Sequence, residues 1–257
     1  NYLSGTIWPP VMQHFIETLG WRQAYMYVGL FCAICMLMLA PLLRRRPAAV
    51  VIVPGVSADT QARELPFGLS PTRATVLLCV AGFSCCVAMA MPQVHIVAYC
   101  ADLGYGAARG AEMLSLMLAC GIVSRLVSGV ICDRIGALRT LLLGSVLQAT
   151  ALLMFLPFDG LVSLYLVSAL FGLFQGGIVP SYTLIVRENF APTQIGARVG
   201  TVIMFTMLGM ATGGWMSGKV FDLTGSYHAA FLNGVAWNML NVGIVVFLLR
   251  SRWPTER

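Results

Sequence analysis

The feature that most constrains this chain is a succession of apolar runs, most about 20 residues long, separated by short clusters of glycine, proline and charge. A run of about 20 residues, coiled as an α-helix, matches the thickness of a bilayer's hydrocarbon core. Punctuating the chain in this way gives eight candidate spans: a shortened first one near 1–15, then 24–43, 74–98, 111–132, 138–156, 161–186, 199–217 and 229–249. With 58% hydrophobic and only 10% charged residues among 257, too few charges remain to cover a soluble globule. The expected fold class is therefore an all-α membrane protein, with the lipid bilayer as its surroundings. Seven of the eight cysteines fall inside apolar runs and Cys100 just beyond one, so they read as small hydrophobes and not as a disulfide framework. Cys32 and Cys35 form a C-x-x-C, but within a span and not after a strand.

The basic residues order the threading. One side of the expected membrane gathers Arg44, Arg45, Arg46, Arg63, Arg73, Arg134, Arg139, Arg187, Arg198, Arg250, Arg252 and Arg257, and the other only Arg22, Arg109 and Lys219. The richer side is expected to be cytoplasmic, which accounts for the net charge of +6 without a nucleic-acid partner. Fifteen arginines to one lysine suit a GC-rich bacterial genome, and with it an inner-membrane location. The long polar stretch 44–73 is expected to be a cytoplasmic linker between residues 1–43 and a bundle over 74–257. Arg125 is left over, the one ionised side chain deep in an apolar run; all ten acidic residues fall in loops or at span ends.

A shift of 205 residues sets Glu17, Gly20, Ala24 and Gly29 against Asp222, Gly225, Ala229 and Gly234, each set at a turn between paired helices. The match marks an internal repeat. It makes spans three to eight one six-helix unit and spans one and two the end of an earlier copy, whose four preceding helices are expected upstream as partners within the same protein. Parallel six-helix repeats joined by a cytoplasmic linker describe the major facilitator architecture, with eight of its twelve helices present here.

Gly129, Asp133, Arg134, Gly136 and Arg139, in SGVICDRIGALR, resemble the second-half copy of the major facilitator motif G-x-x-x-D-R-x-G-x-x-R. On physical grounds Gly129 would let helices pack closely, Gly136 would allow the tight reversal, and Asp133 could pair with cytoplasmic arginines; the resemblance implies a gate latch. The plainer alternative is that Arg134 and Arg139 only serve the positive-inside bias. Two further stretches resemble the monocarboxylate and oxalate/formate branch of that superfamily: HIVAYCADLG with Ser124, Arg125, Leu126 and Gly129, and GGWMSGKVFDLTGSYHAAF. GTIWPPVMQHF and LGWRQAY extend the likeness over most of the chain.

An arginine in mid-span is costly unless it faces a cavity or a partner, and its planar fork suits a carboxylate held by two bonds. The resemblance implies that Arg125 binds the carboxylate of a small organic anion, a monocarboxylate above all; its plainer role would be snorkelling. Animal monocarboxylate transporters carry an Asp four residues before this Arg, where Gly121 stands here. A coupling proton, the other expected partner, is thus not supplied with a carboxylate at that place.

Further candidates for the site are weaker. Ser168, Gln175 and Tyr182 recur every seven residues and would share one helix face, where they bind cargo or tie helices together. His95, beside Pro92, would contact cargo or a proton, or else make a structural hydrogen bond. Phe83 and Phe205 would line an apolar wall or simply pack. Asn233, Asn238 and Asn241 read as ties between helices, and Gly172, Gly176 and Gly177 as close crossing points. No phosphate-binding loop, paired nucleophile and base, or metal-ligand set is present, so neither ATP-driven transport, an enzyme nor a cofactor is expected. The expected activity is secondary transport; the alternatives are a permease for another solute or drug, and a non-transporting sensor derived from one.

Overall fold

The computed structural model describes residues 2–41 and 66–252. It places nine α-helices among them: α1 (Tyr2–Leu19), α2 (Trp21–Leu39), α3 (Pro71–Asp102), α4 (Ala107–Ile135), α5 (Ala137–Met154), α6 (Leu161–Gln175), α7 (Ile178–Asn189), α8 (Ile195–Thr224) and α9 (Tyr227–Arg252). There is no strand among the described residues. Seven stretches are long and apolar enough to cross a membrane, with α6 and α7 together making one of them, 161–189. The first expected span is a helix, α1, but it is not among those seven, because Pro9, Pro10, Gln13, His14 and Glu17 dilute its apolar character.

Most helices outrun their apolar runs. α3 begins at Pro71 and ends at Asp102, about 48 Å at 1.5 Å per residue, because backbone hydrogen bonding continues after the side chains turn polar. Cys100, expected just beyond a span, is thus in α3 and fully buried. Most of the expected linker 44–73 lies outside the described residues; its end does not, and there Phe67 is buried against the bundle and Arg73 sits in the first turn of α3.

α3 is the central element, packed on α8, α9 and α4; α4 also packs on α6, and α5 on α9, α6 and α7. α1 lies against α4, and α2 against α1. Glycines set the closest crossings: a Cβ on Gly213 of α8 would stand 2.6 Å from Val87 Cα on α3, and one on Gly172 of α6 would stand 3.0 Å from Met117 Cα on α4. Gly129 does not do what was expected of it. A side chain there would meet nothing within 4 Å among the described residues, so its close-packing role is not exercised within this bundle.

Buried amides tie the helices where lipid offers no hydrogen bonds. Asn238 and Asn241 on α9 donate to the carbonyl and to the hydroxyl of Ser145 on α5, each at 2.7 Å, and Tyr182 on α7 donates to Asn241 Oδ1 at 2.8 Å. The threading places alternate loops at opposite ends. At one end Tyr227 donates to Asp102, Tyr99 to Asp159, and His228 meets the Leu156 carbonyl. At the other, Arg198 on α8 donates to the Pro71 carbonyl and to Thr75 on α3.

Three of the turns between helices are built on glycines at positive φ. Gly20, between α1 and α2, has φ 81°, and Gly225, between α8 and α9, has φ 65°. Gly136, between α4 and α5, has φ 84°. A residue with a Cβ resists this left-handed region, so the glycine of the D-R-x-G spacing does make the tight reversal read from the sequence.

Candidate functional site

The sixth expected span is broken, and the break builds the site. The run 161–186 was read as one helix, but α6 ends at Gln175 and α7 begins at Ile178. The cause is Pro180, which lacks an N–H and so cannot donate to the carbonyl four residues back, that of Gly176. Arg125 on α4 takes up that carbonyl, with its Nε donating to Gly176 O at 3.2 Å. One edge of the guanidinium is thereby fixed. Its face lies over the ring of Tyr2 on α1, with Cζ 4.4 Å from the ring centroid, a distance suited to cation–π attraction.

Gly121 makes room for that ring. A Cβ there would stand 2.5 Å from Tyr2 Cδ1, so the aromatic ring occupies the space that a side chain at this position would need. Among the described residues the one ion pair joins Arg109 to Glu112; no carboxylate neutralises Arg125. The residue stays exposed although it lies well inside α4.

Arg125 borders a cavity of about 160 Å³ with Tyr2, Leu118, Met89 and Gln93, and with Val179, Met207 and Met210 across from them. The volume is below the few hundred Å³ of drug-sized sites. Cys86, Met89 and Gln93 recur at the spacing of one face of α3 and supply one wall. His95 is two residues beyond Gln93 and points elsewhere: its Nε2 lies 2.9 Å from the Gly214 carbonyl on α8.

Gln93 is the residue that sequence reasoning passed over. Its Nε2 donates to Gln175 Oε1 at 3.1 Å, so the amide expected to face the cargo reaches the cavity through a neighbour. The signal was available as a lone amide next to Pro92 in an otherwise apolar run. Tyr182 is fully buried and bonded to Asn241, and Ser168 is fully buried with no partner for its hydroxyl; neither borders the cavity. Phe83 packs edge-on to Trp237, with centroids 5.7 Å apart. Of the residues singled out for the cargo, the structure brings Arg125 and, by way of Gln93, Gln175 together, and sets Ser168, Tyr182, His95, Phe83 and Phe205 apart from the cavity. Gly129, Asp133, Arg134, Gly136 and Arg139 cluster at the far end of α4 and the start of α5, with both arginines and Asp133 exposed.

The family model described as Major Facilitator Superfamily matches residues 1–167 and, in an overlapping match, 78–257. The chain belongs to the major facilitator superfamily. This is a family of transporters, and within it the chain resembles the monocarboxylate branch: it is 28% identical over 252 residues to monocarboxylate transporter 13 of Bos taurus, covering 96% of this chain and 57% of that protein. It is 26% identical to the MFS-type transporter opdF of Penicillium oxalicum, covering 98% of this chain and 58% of that protein. It is 22% identical to the agnestins efflux protein AgnL12 of Paecilomyces divaricatus, covering 98% and 56%. The chain thus spans little more than half the length of these curated relatives. Membership makes it a multi-pass membrane protein, in agreement with the seven apolar crossings.

Proposed function

We propose that this chain forms part of a secondary active transporter that moves a small organic anion, a monocarboxylate, across the cytoplasmic membrane by alternating access. The observation that carries the reading is Arg125. It is anchored through Nε, stacked on Tyr2, unpaired with any carboxylate among the described residues, and placed at the edge of an apolar cavity. A guanidinium held in this way presents its remaining N–H groups to an incoming carboxylate. Apolar walls strengthen that attraction and suit a single acid on a hydrocarbon frame.

In this reading the linker and the C-terminus are cytoplasmic, and Asp133, Arg134 and Arg139, set by the reversal at Gly136, latch that face while Gly129 receives a helix from the opposing half. Rocking of two bundles exposes the Arg125 site to either side in turn. The described cavity holds no carboxylate, so a coupling proton travels on the cargo or on a group outside the described residues. The chain performs transport and not catalysis.

The test is uptake of labelled monocarboxylates, dicarboxylates and neutral sugars into vesicles bearing the full-length protein. Saturable uptake of the monocarboxylate alone supports the reading; uptake of sugar without acid refutes it. The methionines of the wall favour a second reading, a permease for a larger apolar solute, which the same assay separates by export of apolar compounds unaffected by acids.

A further inference from the structure

Between the start of α3 and the last turns of α9 lies a groove of about 430 Å³, far from the Arg125 cavity in the chain and sharing no residue with it. Leu69, Val76, Leu77 and Phe247 line it, with Thr72 and Arg73 as its polar members. Val76 is 55% and Phe247 49% exposed, so no other described residue covers them. The length of α3 sets the depth of the groove. A helix of about 48 Å, upright and centred on a hydrocarbon core of about 30 Å, extends about 9 Å, or about six residues, beyond it at each end. Thr72 and Arg73 then stand among lipid headgroups, and Val76 and Leu77 at the top of the acyl chains.

The two ends of α3 differ in charge. Asp102, bonded by Tyr227, closes the far end. At the near end the stretches 66–82 and 241–252 contain no acidic residue. Arg198 there is engaged by the Pro71 carbonyl, Thr75 and Gln194. Arg73 is exposed, as is Arg250, which follows Phe247 by three residues and so lies on the same side of α9. The one ion pair among the described residues joins Arg109 to Glu112, so no described carboxylate neutralises either guanidinium. The excess of arginine on one side of the membrane accounts for the sign of Arg73, but not for an apolar groove that begins beside it.

We propose that this groove binds an anionic glycerophospholipid. Its phosphate accepts hydrogen bonds from the Arg73 guanidinium, whose fork matches two phosphate oxygens, and from the Thr72 hydroxyl. The upper part of an acyl chain lies along Val76, Leu77 and Phe247, where it removes their exposed apolar surface from contact with polar headgroups. Arg250 balances the net negative charge of the headgroup. A zwitterionic lipid offers the same phosphate but carries its own ammonium, so it gains nothing from the second cation. Basic pockets between membrane helices at the headgroup level recognise anionic lipids in this way. The site is independent of Arg125 and of the cargo.

The experiment exposes the delipidated full-length protein, in detergent, to equal amounts of phosphatidylglycerol and phosphatidylcholine with matched acyl chains, and counts retained lipid by native mass spectrometry. One cation near the membrane surface is worth about fivefold in binding an anionic lipid. Wild-type protein is expected to retain phosphatidylglycerol over phosphatidylcholine by about fivefold or more. Arg73→Gln is expected to lower retained phosphatidylglycerol about fivefold and to leave phosphatidylcholine within about twofold. Arg187→Gln removes an exposed cation outside the groove and is expected to change neither by more than about twofold. Val76→Trp fills the groove with every cation kept and is expected to lower phosphatidylglycerol as well. Equal losses in Arg73→Gln and Arg187→Gln would mean diffuse attraction to the surface and overturn the proposal. Unchanged retention in Val76→Trp, no preference in the wild type, or no retained lipid also overturns it. Because the readout is bound lipid, the result stands apart from whether Arg125 binds a carboxylate.

Discussion

Replacing Gly172 by alanine tests how the site is assembled. A Cβ on Gly172 would stand 2.8 Å from the carbonyl carbon and 3.0 Å from the Cα of Met117, whereas carbon atoms settle at about 3.5 Å or more. Because the obstacle is backbone, with the Met117 carbonyl oxygen closer still, α6 must retreat from α4 by at least about 0.7 Å. The Arg125–Gly176 hydrogen bond, which joins α4 to the break directly after α6, is already 3.2 Å long and would pass the range of effective N–H···O bonds. Overpacking of this kind costs about 1–3 kcal/mol, which lowers Tm by about 2–12 °C if each kcal/mol is worth about 2–4 °C. The assay is thermal unfolding of the purified full-length protein in detergent, with Gly243→Ala as reference. Gly243 lies in α9 with nothing within 4 Å of a built Cβ, and alanine there should be neutral or stabilise by up to about 1 kcal/mol. Equal Tm values for the two variants would refute the claim that Gly172 sets the distance from α4 to the α6 break.

Two further outcomes follow from the same geometry. Gly136→Ala forces a Cβ into φ 84° and should cost about 1–2 kcal/mol, while Gly196→Ala, in the helix α8 with open space around it, should not; differential scanning fluorimetry of both checks this. Asn241→Leu removes the bonds to Tyr182 and Ser145. At about 0.6 kcal/mol for each interhelical bond in a membrane, it should destabilise by about 1 kcal/mol, and Tyr182→Phe added to it should cost little more in a double-mutant cycle.

Much of the fold was legible because lipid imposes a simple rule: backbone bonds must close within the segment, so a long apolar run is a helix. The turn at Gly136 was legible too, since a glycine straight after a charged helix end has one obvious use. The helix break was not. FGLFQGGIVPSY is mostly apolar, and hydropathy averaged over a window sees no interruption; Pro180 was the local clue, because it removes the bond that Gly176 would have accepted. Site residues divided along the same line. Arg125 stood out by charge alone, whereas Gln93 and Tyr2 belong to the site through crossings of α3 and α1 with α4 that no local pattern encodes. Tyr182 misled because a buried tyrosine between helices and one facing cargo occupy the same helical face on paper; the bond to Asn241 decides between them.

The central claim is that Arg125 binds the carboxylate of the cargo with its planar fork. Its most direct test is the concentration dependence of labelled monocarboxylate uptake by full-length protein carrying Arg125→Lys, at membrane abundance matched to wild type. Lysine keeps the charge but loses the fork and the Nε bond to Gly176. Loss of one charge-assisted hydrogen bond, about 1.5–3 kcal/mol, should raise KM by about 10- to 150-fold. Uptake with wild-type KM and maximal rate would contradict the account.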